Sequence, residues 1–586
     1  MIYRTLTASL VRMMRRIKRA RLRFLARRMI ATRTPKAFVS HPEPKTIGNF
    51  ARGQQMVAGN FQFAGDVIEA PGTAIWQISR EPHVIEELHG CSWIDDLAAA
   101  GSAEGQRTLQ AWVAEWIRLY GAGSGPGWRP DLTGQRLIHW ISHAIAIMRG
   151  QDKRATENFL RSLARQANFL SQSWRSAPAG LPRFQAITGL IYAGLALEGL
   201  DGFLAPNVKR LGRECARRIG PDGSIHSRNP EDLMEVFSLL VWAKLVLEDT
   251  GHTPDPRHLA ALERIAPTLR ILRLGDGSLV RFHGGGPGKE GQLDQALAES
   301  GIRTQTTMET RMGYARLASG RTVAVLDAAA PAAGAASARA HASTLGFEMS
   351  SGRIPMIVNT GPGRYFSENW SQDARETPAH STLSIQGASS SDFWTPGFAG
   401  DTFGERLSRR PAKVSVDRAN DVSGVWVLAT HDGFGPGFGL THERRMFLSP
   451  NGRDFRGEDT LYPKGPKAAR VLKSRLDRQS DHLRFTLHFH LHPNVEASLD
   501  MSGHAVSLKL KSEEIWVFRQ TGGSLALDEA TYLDQERFTP RKTTQIVVHG
   551  VLDEDRAQVT WALTQAQEGN RYSMQVITEE ELTPLV

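Results

Sequence analysis

The sequence predicts a multidomain α and β protein, with a helical N-terminal half and an antiparallel β half behind it. Three observations predict this. A chain of 586 residues is longer than one hydrophobic core organises. From about residue 106 to 273 apolar residues recur at helical spacing, in segments that mostly stop at Gly. From Met312 onward the apolar runs become short, alternating or β-branched, and turn residues separate them.

Residues 1–36 are a basic N-terminal arm. Leu6, Leu10, Met13 and Ile17 recur at three- and four-residue spacing with arginines between them. The arm lacks the uninterrupted apolar core of a cleavable signal peptide and the run of ~18 apolar residues of a membrane span. A basic amphipathic helix of this kind suits peripheral contact with an anionic membrane; a solvated basic arm is the plain alternative. Residues 37–105 are a loop-rich entry segment with short strands, broken by Gly59, Gly65 and the Pro71-Gly72 turn.

Residues 106–310 are the helical domain, with segments such as TLQAWVAEWIRLYGAG, GQRLIHWISHAIAIMRG and FQAITGLIYAGLALEG. Amphipathic helices on short links must bury their stripes against each other, which a bundle, a helical repeat or a toroid all satisfy. The composition turns at Gly275-Asp276-Gly277. Residues 311–586 carry the β runs, among them RTVAVLDA, GVWVLATHDG, RRMFLSP and LRFTLHFHLHP.

The net charge of +10 belongs to the arm: residues 1–36 hold twelve Lys or Arg and no acid, so the rest sums to 10 − 12 = −2. This excludes a broadly basic fold for nucleic acid. Thirteen tryptophans suit either flat stacking on sugar rings or core packing. Two cysteines, Cys91 and Cys215, make no disulfide framework.

The stretch His341 to Trp394 concentrates the reactive residue types. His341 and His380 each open a strand-like run, and IPMIVN lies between them, stopped by Thr360-Gly361-Pro362-Gly363. Tyr365, Trp370 and Arg375 occupy a polar loop. Histidine beside Tyr and Arg is material for proton transfer. His341-Ala342-Ser343, Val358-Asn359-Thr360-Gly361, Tyr365, Arg375 and His380-Ser381-Thr382-Leu383 together resemble the C-terminal pattern of the heparinase II/III family of polysaccharide lyases. The likeness extends through Trp128-Arg129-Pro130 to Arg136 and Trp140, and through DGSIHSRNP at 222–230. It covers residues 110 to 500 in outline.

The resemblance implies an N-terminal α/α toroid followed by a C-terminal antiparallel β-sandwich. It also implies a lyase that cleaves an acidic, uronate-containing polysaccharide by β-elimination. Such a reaction neutralises the sugar carboxylate, removes the C5 proton and protonates the leaving oxygen. On that basis His341, Tyr365 and Arg228 are candidate catalytic residues. His226, Asn229, Arg375, His380 and Trp140 are candidates for binding substrate. Two of the family's usual groups are absent. Its Asn-His pair falls on LPRFQA at 181–186, and Asp232 stands where a Tyr is usual. Tyr192 and Tyr314 are the other candidates to replace that Tyr. A catalytically degenerate glycan-binding or polysaccharide-assembly protein is therefore the alternative.

Some relatives hold a metal in the β domain. Here Ser343 and Asn359 stand at the Asp positions, so no metal is expected, nor any cofactor. The resemblance implies a place in the cell envelope or periplasm; the missing export signal implies a cytoplasmic or membrane-peripheral one. Three further histidine groups have plain expectations. His139 and His143 share a helix face for packing. His488, His490 and His492 form the polar face of a half-buried strand. Arg281 and His283 belong to a Gly-rich domain-joining loop.

Overall fold

The computed structural model describes residues 2–28, 34–304, 310–366, 368–394, 402, 404–478, 482–535 and 539–566. The chain divides into two compact units. One comprises residues 1–225, 232–266 and 291–304; the other comprises 226–231, 267–290 and 305–586. Among the described residues no helix is long and apolar enough to cross a membrane.

The first unit is helical, with a small hairpin of β1 (Asn60–Phe63) and β2 (Asp66–Glu69). Its innermost helix, Leu181–Ala196, is buried on all sides from Ala186 to Ala196, as a helix apolar all round must be. It packs on Pro130–Ser142 through paired glycines: a Cβ at Gly189 would lie 2.7 Å from the Gly134 Cα. The helix Ile2–Arg28 packs on Lys153–Ser173. Trp76, Trp93, Trp112, Trp116, Trp128 and Trp140 gather in one buried aromatic cluster. Arg136 lies inside it, 4.0 Å over the Trp116 ring. Its donors go to Gln166 Oε1 at 2.7 Å and to the carbonyls of His89 and Gly127. Burial lowers its pKa to about 10. His139 and His143 meet Asp95 at 3.4 and 2.8 Å, a helix-to-helix tie.

The second unit is built from β3 (Tyr314–Ser319), β4 (Thr322–Asp327), β5 (Phe347–Ser351), β6 (Ile354–Val358), β7 (Leu383–Ile385), β8 (Asp392–Phe393), β9 (Leu407–Arg409), β10 (Val414–Asp421), β11 (Gly424–His431), β12 (Thr441–Leu448), β13 (Asp454–Tyr462), β14 (Leu483–Leu491), β15 (Val495–Asp500), β16 (Ala505–Leu510), β17 (Ile515–Thr521), β18 (Ser524–Asp534), β19 (Thr539–Leu552) and β20 (Ala557–Gln565). One eight-stranded sheet runs β10-β11-β12-β13-β20-β17-β16-β15. The other runs β18-β19-β14-β6-β5-β4-β3, with β7 also paired to β14. Every pairing is antiparallel. Alternate residues of both sheets interleave in one apolar core, as in a sandwich. Phe347 and Phe489 of one sheet pack on Phe455, Phe518 and Trp561 of the other.

Two segments that the sequence reading assigned to the helical domain cluster with the strands instead. Residues 267–290 are bound there because Arg316 donates to the Ile271 carbonyl at 3.0 Å and the Gly275 amide to Ser350 Oγ at 2.9 Å. Residues 226–231 are bound through Arg228.

The sandwich also encloses a polar network. Gly433 N–H donates to His431 Nδ1 at 3.0 Å, which leaves His431 Nε2 to donate to His442 Nδ1 at 3.2 Å. His442 Nε2 then donates to Asp459 Oδ1 at 2.7 Å. Arg444 grips the same carboxylate with Nε and Nη2, at 2.8 and 3.1 Å, and Trp561 Nε1 adds a 2.9 Å bond. Arg444 Nη1 reaches the carbonyls of Leu345 and Ser381 at 2.6 and 2.9 Å.

A buried histidine and arginine cluster as the candidate functional site

Three histidines converge in the second unit, from the Gly-rich loop after residue 275 and from the loops that precede β5 and β7. His283, His341 and His380 are 3% exposed or less. Their hydrogen bonds fix the ring protons. His380 Nδ1 faces the Glu376 carbonyl at 2.8 Å, which only accepts, so Nδ1 carries the proton and Nε2 the lone pair. His341 Nδ1 therefore donates to His380 Nε2 at 3.0 Å, and His341 Nε2 is left as an acceptor. Among the described residues that atom has no hydrogen-bond partner.

The His341 amide donates to His283 Nδ1 at 3.2 Å, so His283 Nε2 carries a proton toward Asp327 Oδ2, 3.4 Å away. Burial, with the neighbouring histidines and Arg375, pushes the His341 pKa well below its ordinary value. Burial holds His380 down at about 4 and His283 at about 3.

Asp327 closes β4 and organises this cluster. Burial alone would raise its pKa, but Arg228 and His283 hold it below the usual carboxylate range. Ser343 Oγ donates to its Oδ2 at 2.7 Å, and Arg228 Nη2 to its Oδ1 at 2.5 Å. The remaining donors of Arg228 go to the carbonyls of Met312, Gly313, Ala329 and Ala330 at 3.0 to 3.1 Å. All five N–H groups are thus committed to the protein, and the fork lies 4.8 Å over the Tyr314 ring. Arg228 itself sits at φ +55°, in the left-handed region. Its ion partner is Asp327, at the end of β4.

The other candidates divide sharply. Asn229 is buried beside the cluster; its amide donates to the His283 carbonyl at 3.1 Å and its oxygen accepts from the Glu231 amide at 2.8 Å. Arg375 is buried, donates to the carbonyls of Ala340, Ser337 and Glu405, and lies 4.7 Å over Phe393. His226 is exposed. Tyr365 lies in the turn Gly363–Tyr365, and its side chain is outside the described residues. Trp140 corrects an expectation: it is 0% exposed, edge-on to Trp116 at 5.3 Å, and has no face left for a sugar ring. Tyr192 is likewise buried in the helical unit. Tyr314 is buried too, with its hydroxyl donating to the Arg228 carbonyl at 2.6 Å.

Ser343 and Asn359, at the positions where relatives carry Asp, act as hydrogen-bonding groups. Asn359 donates to the Arg281 carbonyl at 3.3 Å and accepts from the Ser381 amide at 3.1 Å. Among the described residues no three His, Cys, Asp or Glu side chains are grouped to hold a metal ion. The histidine row of β14 is more enclosed than a solvated strand face. His490 Nε2 meets the Pro378 carbonyl at 2.8 Å, and His492 packs edge-on to Tyr532.

Sequence reasoning missed Asp327. The available signal was a carboxylate ending the apolar run RTVAVLD, a place where a buried charge needs a partner.

The comparisons with known proteins agree with this architecture. Residues 304–562 match the model of the heparinase II/III-like C-terminal family. Among solved structures, heparinase III superposes with a TM-score of 0.69 at 14% identity, covering 93% of this chain and 89% of that one. The heparan sulfate lyase HepC from Pedobacter heparinus gives 0.56 at 14% identity, covering 94% and 88%. FtsZ-localized protein C of Caulobacter vibrioides is 28% identical over 554 residues, 92% of each protein. These likenesses establish an α/α toroid and β-sandwich fold shared with polysaccharide lyases. What the match at residues 304–562 shows is a heparinase II/III-like C-terminal domain.

Proposed function

We propose that this chain keeps the scaffold of a polysaccharide lyase without its elimination chemistry. It serves as a glycan-binding assembly protein that works where FtsZ works. The observation that carries this reading is the state of Arg228. A carboxylate-neutralising arginine must offer its fork to the ligand, and here every donor is held by Asp327 and four backbone carbonyls. His341 adds support. A general base works best with a pKa near the operating pH, and burial takes His341 well below that. Asp232 and the LPRFQA segment supply neither the Tyr nor the Asn-His pair. The likeness, over 92% of both chains, to a protein named for its localisation with FtsZ supports the cellular part.

A second reading has one specific observation in its favour. Among the described residues the His341 Nε2 lone pair has no hydrogen-bond partner, and its direction is fixed by His380 and Glu376. This is the geometry of a positioned base, and under this reading the chain is an active lyase on a uronate polysaccharide.

Incubating the full chain with a panel of uronate polysaccharides and following the absorbance of the unsaturated product decides between them. No product, with measurable retention on at least one immobilised polysaccharide, is the expected result. Product formation that disappears in His341→Ala establishes the lyase instead. A fluorescent fusion imaged with FtsZ in the native cell tests the cellular part; a uniform distribution counts against it.

A further inference from the structure

The helix Ile2–Arg28 has one face too many for its place in the fold. Val11, Leu22 and Leu25 are half-buried and Ala26 is 2% exposed. With roughly 100° per residue, these four lie on one side of the helix. That side is the face laid on the helical unit: Gly123 sits so close to Ala26 that a Cβ there would press on its backbone.

Leu10, Met13, Ile17 and Phe24 form a second apolar stripe, turned about 140° from the first and confined to an arc of about 60°. They are between 51% and 63% exposed. Single exposed apolar residues are ordinary, but four large ones in line are a surface awaiting a partner. Arg16, Arg19, Arg23 and Arg27, all exposed, run along the flank between the two apolar faces. No acid occurs in residues 1–36 to neutralise them.

We infer that this outer stripe docks the protein on an anionic lipid bilayer, with the helix lying in the plane of the interface. The chemistry on each part of the helix selects that occupant. The apolar stripe suits the boundary between headgroups and acyl chains, and the arginine row beside it suits lipid phosphates. The helix is too rich in charge to cross the bilayer. Its inner face stays on Lys153–Ser173, so docking needs no unfolding of the helical unit. Docking through this helix does not depend on whether the fold retains lyase activity.

The test is flotation of the full chain with vesicles of phosphatidylglycerol and phosphatidylethanolamine, against vesicles of phosphatidylcholine alone. The expected result is binding to the anionic vesicles, weakened by salt and absent on the zwitterionic ones. The double variant Ile17→Asp, Phe24→Asp should lower the binding at least about tenfold. Its melting temperature and circular dichroism should stay unchanged, because both residues lie off the packed face. The variant Arg19→Glu, Arg23→Glu, which leaves the apolar stripe intact, should show the same loss. Binding unaffected by either variant overturns the inference. So does an absence of vesicle binding. A dimer in sedimentation velocity that Ile17→Asp, Phe24→Asp abolishes, without vesicle binding, assigns the stripe to a protein contact instead.

Discussion

Lowering the pH from about 7.5 to about 5.5 should destabilise the β-sandwich steeply, and the cause is its buried histidines. Burial holds His283, His490 and His492 at about 3 and His380 at about 4. In the unfolded chain each takes a proton near its ordinary pKa of about 6.5. Across this window the unfolded state therefore binds more protons than the folded state, so stability falls as pH falls. The loss begins near the unfolded pKa and levels off only below the folded values. One pH unit below 6.5, each group costs about 1.4 kcal/mol, so the four together cost about 6 kcal/mol if independent. The upward shifts of Glu376 and Glu458 reduce this somewhat, whereas His341, His431, His442 and His488, also held below their ordinary values by burial, add to it. From the four counted groups alone, a loss of about 4–6 kcal/mol is a large part of the 5–15 kcal/mol typical of a folded protein. Calorimetric melting at a series of pH values measures it directly. The double variant His490→Gln, His492→Gln should remove about 2–3 kcal/mol of the acid-induced loss. A melting temperature that stays flat between the two pH values would refute the reasoning, because it requires these histidines to protonate within the fold.

Other outcomes follow from the same contacts. Asp459→Asn leaves Arg444 buried without its carboxylate and should cost about 3–5 kcal/mol, read as a lower urea midpoint for the sandwich. Arg228→Met removes the partner of buried Asp327 and should cost a similar ~3–5 kcal/mol. If the wild type lacks lyase activity, this variant differs from it only in stability. Gly189→Ala should cost at least about 1–3 kcal/mol, since its methyl would meet the Gly134 backbone and force the two helices apart. Ser343→Ala removes one hydrogen bond to a buried carboxylate and should cost about 1.5–3 kcal/mol in the same denaturation assay.

The order of helices and strands was legible because periodicity reports burial directly. Leu181–Ala196 reads as apolar on every side, and β14 alternates Leu487, Phe489 and Leu491 with histidine. His341 and His380 were legible as a pair because spacing from a family pattern locates both. What the sequence did not show is which partners each residue takes. Arg228 meets Asp327 from 99 positions away, a separation that no local pattern encodes. Trp140 was misjudged because an aromatic on a helix fits a sugar wall and a core equally well, and only burial separates the two. The network around Asp459 had a readable trace. His442 and Arg444 are in phase with Met446 and Leu448, and Asp459 with Phe455 and Leu461, so polar residues stand on the apolar face of their strands. A charge in phase with the core demands a buried counterpart.

Arg444 has a mechanical consequence. It is rooted in one sheet, clamped on Asp459 of the same sheet, and reaches across to the carbonyls of Leu345 and Ser381. Ser381 follows His380 directly, so the ring that orients His341 is pinned from the opposite layer. The two layers consequently cannot slip past one another without breaking hydrogen bonds of a fully buried arginine. A change at position 444 would therefore disturb the alignment of the histidines carried by the opposite layer.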